Sequence, residues 1–361
     1  MRVSQPMFEH KMEQVRLDQP VRLSEQSWPE NITPVVSICC ITYNQEKFIR
    51  DCLEGFLMQE TTFPVEILVH DDASNDKTAD IIREYEARNP GLFKPIYQTE
   101  NQYSKGIKPN TKFNIPRAAG QYIAFCEGDD YWIDPLKLQK QVDFLEKNVD
   151  HGLVHTEINL YREERKEMIH SFNSGLINSN TVKSKTELFD HILHARIRIR
   201  TPTVMIRKKF LDSIQPNDMS FLMGDTPRWL DLSQISLFHY FDYPTAVYRS
   251  SLNTASRQKD KKKNYRFVLS MYEMRLYYCK KYNYQISKTL IKMYNRYMIT
   301  YLVYDPFYKP FFPLSNPSIV QKMMLNLIRK NLFISLLKKY VKIYEYIENK
   351  LHQKLKFNFF L

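Results

Sequence analysis

From residue 34 onward, short apolar runs alternate with stripes of helical spacing, the pattern of β-α-β units and a mainly parallel sheet. Residues 35–42, VVSICCIT, read as a buried strand. Residues 46–59 then place Phe48, Ile49, Cys52, Leu53, Phe56 and Leu57 at helical spacing. The unit repeats, with a second strand over 65–70 and a second helix over 77–87 that keeps Ile81, Ile82 and Tyr85 on one face and ends at Pro90-Gly91. A short strand over 94–97, a helix over 111–119 and a fourth strand over 121–126 follow. The next helix, 135–147, opens at Asp134-Pro135, where the missing N–H of proline costs nothing. Beyond Gly152 the pattern is less regular, and 203–207, 227–235, 237–241 and 246–249 are its clearest segments. After a basic run at 259–263 come helix-like stretches rich in Tyr, Phe, Leu, Ile and Lys, broken by Pro306, Pro310, Pro313 and Pro317. The expected organisation is a polar arm over 1–33, an α/β domain over 34–256 and a helical region over 257–361.

Composition narrows the chemistry. The chain has 361 residues, and its eight glycines never lie closer than eight positions apart. That excludes a G-x-G-x-x-G dinucleotide fingerprint and a Walker A loop, both of which crowd glycines into one turn so that backbone N–H groups reach phosphates. The net charge of +12 is uneven: residues 257–361 hold 22 Lys/Arg against five Asp/Glu. Such a region suits nucleic acid or an anionic membrane surface. No nucleic-acid motif accompanies it, so no nucleic acid is expected. Residues 333–346 mix a large apolar face with lysines, as does a helix lying in a lipid interface or packed on a neighbouring domain. The five cysteines show no C-x-x-C pairing and sit mostly in apolar runs, which reads as reduced thiols. The amino terminus is charged throughout, and no apolar run reaches the roughly 18 residues that span a bilayer. A cytoplasmic protein is expected, peripheral at the inner face of the plasma membrane if the basic region meets lipid.

Ligands of open α/β sheets sit beyond the carboxyl ends of the strands, and three loops there carry the candidate chemistry. The first strand ends in Ile41-Thr42-Tyr43-Asn44, the second in Asp71-Asp72-Ala73-Ser74 and the fourth in Glu127-Gly128-Asp129-Asp130-Tyr131-Trp132. The Asp71–Ser74 loop on its own also reads as a turn with a helix cap. Three carboxyl groups within the four residues 127–130 repel one another unless they are solvated or bridged by a cation, and a hard divalent ion takes oxygen ligands of this kind.

Taken together, CITYNQEKFIRDCLEGFLMQ, VEILVHDDASNDKTADII and AAGQYIAFCEGDDYWIDPLKLQKQVDFLE resemble glycosyltransferase family 2, the inverting, nucleotide-sugar-dependent enzymes, most closely the bacterial members that build surface polysaccharides. The resemblance covers about residues 34–256. It implies a GT-A fold, a Rossmann-like mixed sheet flanked by helices, here with a C-terminal helical extension. It implies a nucleoside-diphosphate sugar donor, most simply a UDP-sugar, and a glycan or lipid-linked acceptor. Tyr43, with Ile41 and Thr42 beside it, would lie against the base, and Asp72 would accept from the base edge while Asp71 is structural. Asp130 would be the direct ligand of Mg²⁺ or Mn²⁺, with Asp129 contacting ribose, sugar or metal and Glu127 sharing the work. Asp225, in Met223-Gly224-Asp225-Thr226-Pro227, would be the general base; the same residues make an excellent helix cap. Asp218 and Asp231 are the fallback candidates. Residues 200–207 would border the acceptor, and Arg249 would neutralise diphosphate charge. Many members carry a histidine where this chain has Ser251, so the closing loop departs from the pattern. Two rival readings remain: a sugar-phosphate nucleotidylyltransferase, whose glycine-rich loop after the first strand is missing here, and a non-catalytic nucleotide-sugar-binding protein.

Overall fold

The computed structural model describes residues 15–214, 221–251, 260–330, 337–339 and 341. Its main sheet contains β1 (Val36–Thr42), β2 (Val65–Asp71), β3 (Ile96–Tyr97), β4 (Tyr122–Glu127), β5 (Tyr131–Trp132), β6 (His151–Arg162), β7 (Glu167–Ile169), β8 (Met205–Arg207) and β9 (Leu237–Ser250). The lateral order is β3-β2-β1-β4-β8-β6-β9-β5, with β7 pairing β6. Strands β3, β2, β1 and β4 are mutually parallel, as the hydrophobic pattern predicts. The other half is mixed, because β8 enters antiparallel between β4 and β6. The result is a GT-A-like α/β fold.

The helices are α1 (Ile49–Leu57), α2 (Thr78–Arg88), α3 (Lys137–Lys147), α4 (Lys185–Leu193), α5 (Lys208–Ser213), α6 (Thr226–Ile235), α7 (Lys261–Lys281), α8 (Lys288–Tyr304) and α9 (Ile319–Arg329). Side chains alternate across the strands, and two cores result. Ile38, Cys40, Val69, Ala124 and Cys126 face the helices α1 to α3, whereas Cys39, Leu68, Ile123 and Phe125 share a core with α4, α6, α7 and α8. The five cysteines are all buried and unbridged.

Three departures from the sequence pattern have physical causes. The helix expected over 111–119 is a π-turn, Asn110–Asn114, running into Ile115–Arg117. Pro116 lacks an N–H, and its ring would crowd the carbonyl one turn earlier, so the wider turn relieves both conflicts. Strand β9 is continuous across Pro244 because the register shifts there, and a bulge is where a sheet tolerates proline. Strand β6, hidden in the irregular stretch, is fully internal along most of its length despite Thr156, Glu157 and Asn159.

The C-terminal helices are fastened to the domain by Asp231 on α6. Its carboxylate accepts from the hydroxyls of Tyr278 (2.8 Å) and Tyr282 (2.6 Å) and from Lys281 Nζ (2.6 Å). Tyr284 likewise donates to Asp190 (2.6 Å). These tail tyrosines are therefore internal hydrogen-bond donors. Among the described residues, no helix is long and apolar enough to cross a membrane. Most of residues 333–346 lies outside the described residues.

Candidate active site

Parallel register brings the candidate loops to one edge. Thr42 pairs with Asp71 across β1 and β2, and Ile41 pairs with Glu127 across β1 and β4. The first two loops interlock. Asn44 adopts a left-handed conformation (φ 53°), donates its N–H to Ser74 Oγ (2.9 Å) and accepts from the Asn75 N–H (2.7 Å) through Oδ1. Asp71 receives both the hydroxyl and the N–H of Ser74 (2.5 and 3.1 Å). Tyr43 stands at the rim with 44 % of its surface exposed. Asp72 is buried, and its oxygens accept from the N–H groups of Gln102 (2.8 Å) and Tyr103 (3.0 Å), with His70 Nε2 at 3.3 Å. Asp72, which the resemblance assigns to a base edge, also clamps the loop that carries Tyr103.

The acid cluster follows β4. Gly128 is required there, since a Cβ would stand 2.4 Å from Gln45 Oε1 and 2.8 Å from Thr42 Oγ1. Asp130 is fully buried; its Oδ1 accepts from the backbone N–H of Arg249 (2.8 Å) and its Oδ2 has no partner. Burial pushes the Glu127 carboxyl up to about 8, with Asp129 and Asp225 adding to the effect and Arg200 opposing it. Burial also holds Asp130 well above the ordinary carboxylate range, reinforced by Asp129 and Glu127, and raises Asp129. Crowded carboxyl groups with one orphaned oxygen suit a hard divalent cation. Among the described residues no three His, Cys, Asp or Glu side chains form a complete ligand set.

Arg249 is held by the acid loop and its surroundings. Its guanidinium pairs with Asp51, lies 3.6 Å from Glu163 and donates to the Asp129 carbonyl (3.2 Å), sandwiched between the rings of Phe48 (5.0 Å) and Tyr131 (4.5 Å). Held by these partners, Arg249 braces the acid loop, and its contact with Asp130 comes from the main chain.

Across the cleft, Asp225 caps α6. Oδ1 accepts from the N–H of Thr226 (2.6 Å), while among the described residues Oδ2 has a single long contact, with Thr201 Oγ1 at 3.5 Å. Capping therefore engages one carboxylate oxygen of Asp225 and leaves the other at the cleft. Cations stand nearby, among them Arg200, the first residue of the segment expected to border the acceptor. Arg228 donates to Thr111 (3.2 Å) and lies over Phe125, and burial lowers Lys108, an effect that Arg228 adds to and Asp225 opposes. Arg200 packs its guanidinium on Tyr248 at 4.8 Å. Its signal in the chain is the alternation Arg196-Ile197-Arg198-Ile199-Arg200, in which both isoleucines enter the core. Of the fallback acids, Asp231 is neither exposed nor in the cleft, being consumed by α7, and Asp218 lies outside the described residues.

Residues 37–213 match the family described as Glycosyl transferase family 2. An uncharacterized protein of Mycobacterium tuberculosis is 52 % identical over 113 residues, 31 % of this chain and 32 % of the relative. Bacillus subtilis TuaG, provisionally named a teichuronic acid biosynthesis glycosyltransferase, is 33 % identical over 115 residues, 32 % of this chain and 43 % of that protein. The chain thus spans about a third of the mycobacterial relative's length and under half of the Bacillus one. Among solved structures, Staphylococcus aureus TarS 1-349 in complex with UDP-GlcNAc aligns over 81 % of this chain and 79 % of its own, with 16 % identity and a TM-score of 0.49.

Proposed function

The chain belongs, through residues 37–213, to glycosyltransferase family 2, and from this premise we propose that it moves a sugar from a nucleoside-diphosphate donor to a hydroxyl of a glycan or lipid-linked acceptor, with inversion, in bacterial surface-polysaccharide synthesis. The observation that carries this reading is the placement of Asp225 beside the loop of Glu127, Asp129 and Asp130: Thr201 Oγ1 lies 3.5 Å from Asp225 Oδ2, and the carbonyl of the adjacent Pro202 accepts from Trp132 Nε1 (2.8 Å) at the end of the acid loop. The relationship to a protein named for teichuronic acid biosynthesis supports the polymer class.

In this reading Asp225 Oδ2, the oxygen not used for capping, takes the proton of the acceptor hydroxyl as that oxygen bonds to the anomeric carbon. The bond from the anomeric carbon to the diphosphate oxygen breaks on the opposite face, and the electron pair leaves with the nucleoside diphosphate. Asp130, with Asp129, would hold Mg²⁺ or Mn²⁺, which as a Lewis acid stabilises the charge on that leaving group. Tyr43, flanked by Ile41 and Thr42, offers a ring for the base, a UDP donor being the simplest choice. The exposed residues Ile319, Val320 and Met323 on α9, beside exposed Lys322, Arg329 and Lys330, support an anionic membrane surface as the place where the acceptor is met.

The test is nucleoside-diphosphate release from a panel of nucleotide sugars with and without Mn²⁺. At least one donor is expected to turn over, and Asp130→Asn is expected to abolish it. Absence of turnover and of nucleotide binding across the panel would overturn the proposal.

A further inference from the structure

We propose that Arg200 is the side chain that neutralises the diphosphate of the donor, the task for which Arg249 is unavailable. The inference rests on the glycosyltransferase reading and moves to the donor's diphosphate a residue that the resemblance set at the head of the acceptor-bordering segment 200–207. Developing negative charge in a cleft of buried carboxylates needs a cation that is held near but not consumed by them. The guanidinium of Arg249 fails that requirement, being paired with Asp51, near Glu163 and bonded to the Asp129 carbonyl.

Arg200 meets it. The segment that follows it is pinned along the end of β4: the Phe125 N–H donates to the Val204 carbonyl (3.3 Å), Trp132 Nε1 donates to the Pro202 carbonyl (2.8 Å) and Thr201 Oγ1 lies 3.5 Å from Asp225 Oδ2. Those three contacts set Arg200 between the acid loop and the cap of α6. There its guanidinium rests on the face of Tyr248, the residue preceding Arg249 on β9, and its buried Nε has no hydrogen-bond partner among the described residues. Its charge is felt at Glu127 and at Asp130. A planar guanidinium with an unused donor, stacked on one side and set beside the acid loop, is suited to bidentate oxyanion binding.

The experiment is calorimetric titration of the full chain with UDP and GDP in Mn²⁺, and with uridine and guanosine as controls, for wild type, Arg200→Gln and Arg200→Lys. Each variant's unfolding midpoint is measured alongside. Arg200→Gln is expected to weaken the nucleoside diphosphate that wild type binds by about 10- to 100-fold, to leave the matching nucleoside unchanged, and to be partly rescued by lysine. Unchanged diphosphate affinity in a folded Arg200→Gln protein would overturn the assignment, and so would an equal loss for nucleoside and diphosphate. A drop confined to acceptor-dependent turnover would also overturn it, placing Arg200 on the acceptor side. If wild type binds neither nucleoside diphosphate, the glycosyltransferase reading fails first and the inference falls with it.

Discussion

Asp225 is asked to do two things, and two substitutions separate them. Its Oδ1 caps α6 through the Thr226 N–H at 2.6 Å, and its Oδ2 is left to face the cleft with one 3.5 Å neighbour. Asparagine is as good an N-cap as aspartate and keeps the Oδ1 contact, so Asp225→Asn should lose only the attraction of a negative charge for the helix terminus, about 0.5 kcal/mol. Asp225→Ala loses the cap as well, about 1 kcal/mol more. Neither variant keeps a base. Removing a positioned general base slows the chemical step by about 10²- to 10⁴-fold, about 3 to 5 kcal/mol of barrier. The assay is initial-rate release of nucleoside diphosphate from the donor that the panel identifies, paired with unfolding midpoints and nucleotide affinity. Both variants should turn over equally slowly and bind nucleotide as wild type does, yet differ from each other in stability. Wild-type turnover in Asp225→Asn would refute the reasoning, leaving Asp225 a cap and nothing more.

Asp231→Ala strands the hydroxyls of Tyr278 and Tyr282 and the ammonium of Lys281 at a buried site, and should destabilise the chain by about 3 to 5 kcal/mol; a change below about 1 kcal/mol in denaturant unfolding would contradict the fastening role. Lys137 is fully buried, with Nζ bonded to Gln141 (2.8 Å) and lying 4.3 Å from the Trp132 ring centroid, and burial lowers it to about 7 from 10.5. Between those two values the unfolded chain binds more protons than the folded one, so stability should rise with pH from about 7 toward 10.5. Lys137→Met should flatten that rise in pH-resolved unfolding, and an unaltered slope would show that another group is responsible. Replacing Ile319 and Met323 together by aspartate should abolish flotation of the full chain with anionic vesicles while leaving donor turnover intact; equal recovery of both proteins would remove the membrane surface from the proposal.

How far the sequence could be read depended on whether neighbouring residues carried the signal. The parallel strands and their helices obey local periodicity, and the acids sit at strand ends, so the first half of the sheet and the acid loops are legible. Strand β6 is not, because Glu157 interrupts an apolar run. Its carboxylate is satisfied by the Tyr240 hydroxyl (2.7 Å) and the N–H groups of Ile158 (2.7 Å) and Asn173 (2.8 Å), two of them distant in the chain. The same limit governs the charged side chains. The resemblance puts Arg249 at the donor's diphosphate, but nothing local says that Asp51 and Glu163 lie against its guanidinium. Asp231 and Asp225 share one helix and look alike in the sequence, yet one faces α7 and the other the cleft.

That shared helix ties the C-terminal region to the chemistry. Asp225 stands at the first turn of α6, and Asp231 fixes the same helix to α7 a turn and a half later. Leu230 and Trp229, between them, are buried in the core that α7 and α8 complete. A helix held at its middle by three hydrogen bonds and a packed face has little freedom to swing its capping residue, so the tail sets where Asp225 Oδ2 points. Cutting the chain after residue 256 would therefore expose that core and release the cap together, and loss of activity in such a truncation would say nothing about lipid. Surface substitutions on α9, which leave Asp231 and the α7 contact intact, are the way to separate what the basic region binds from what it braces.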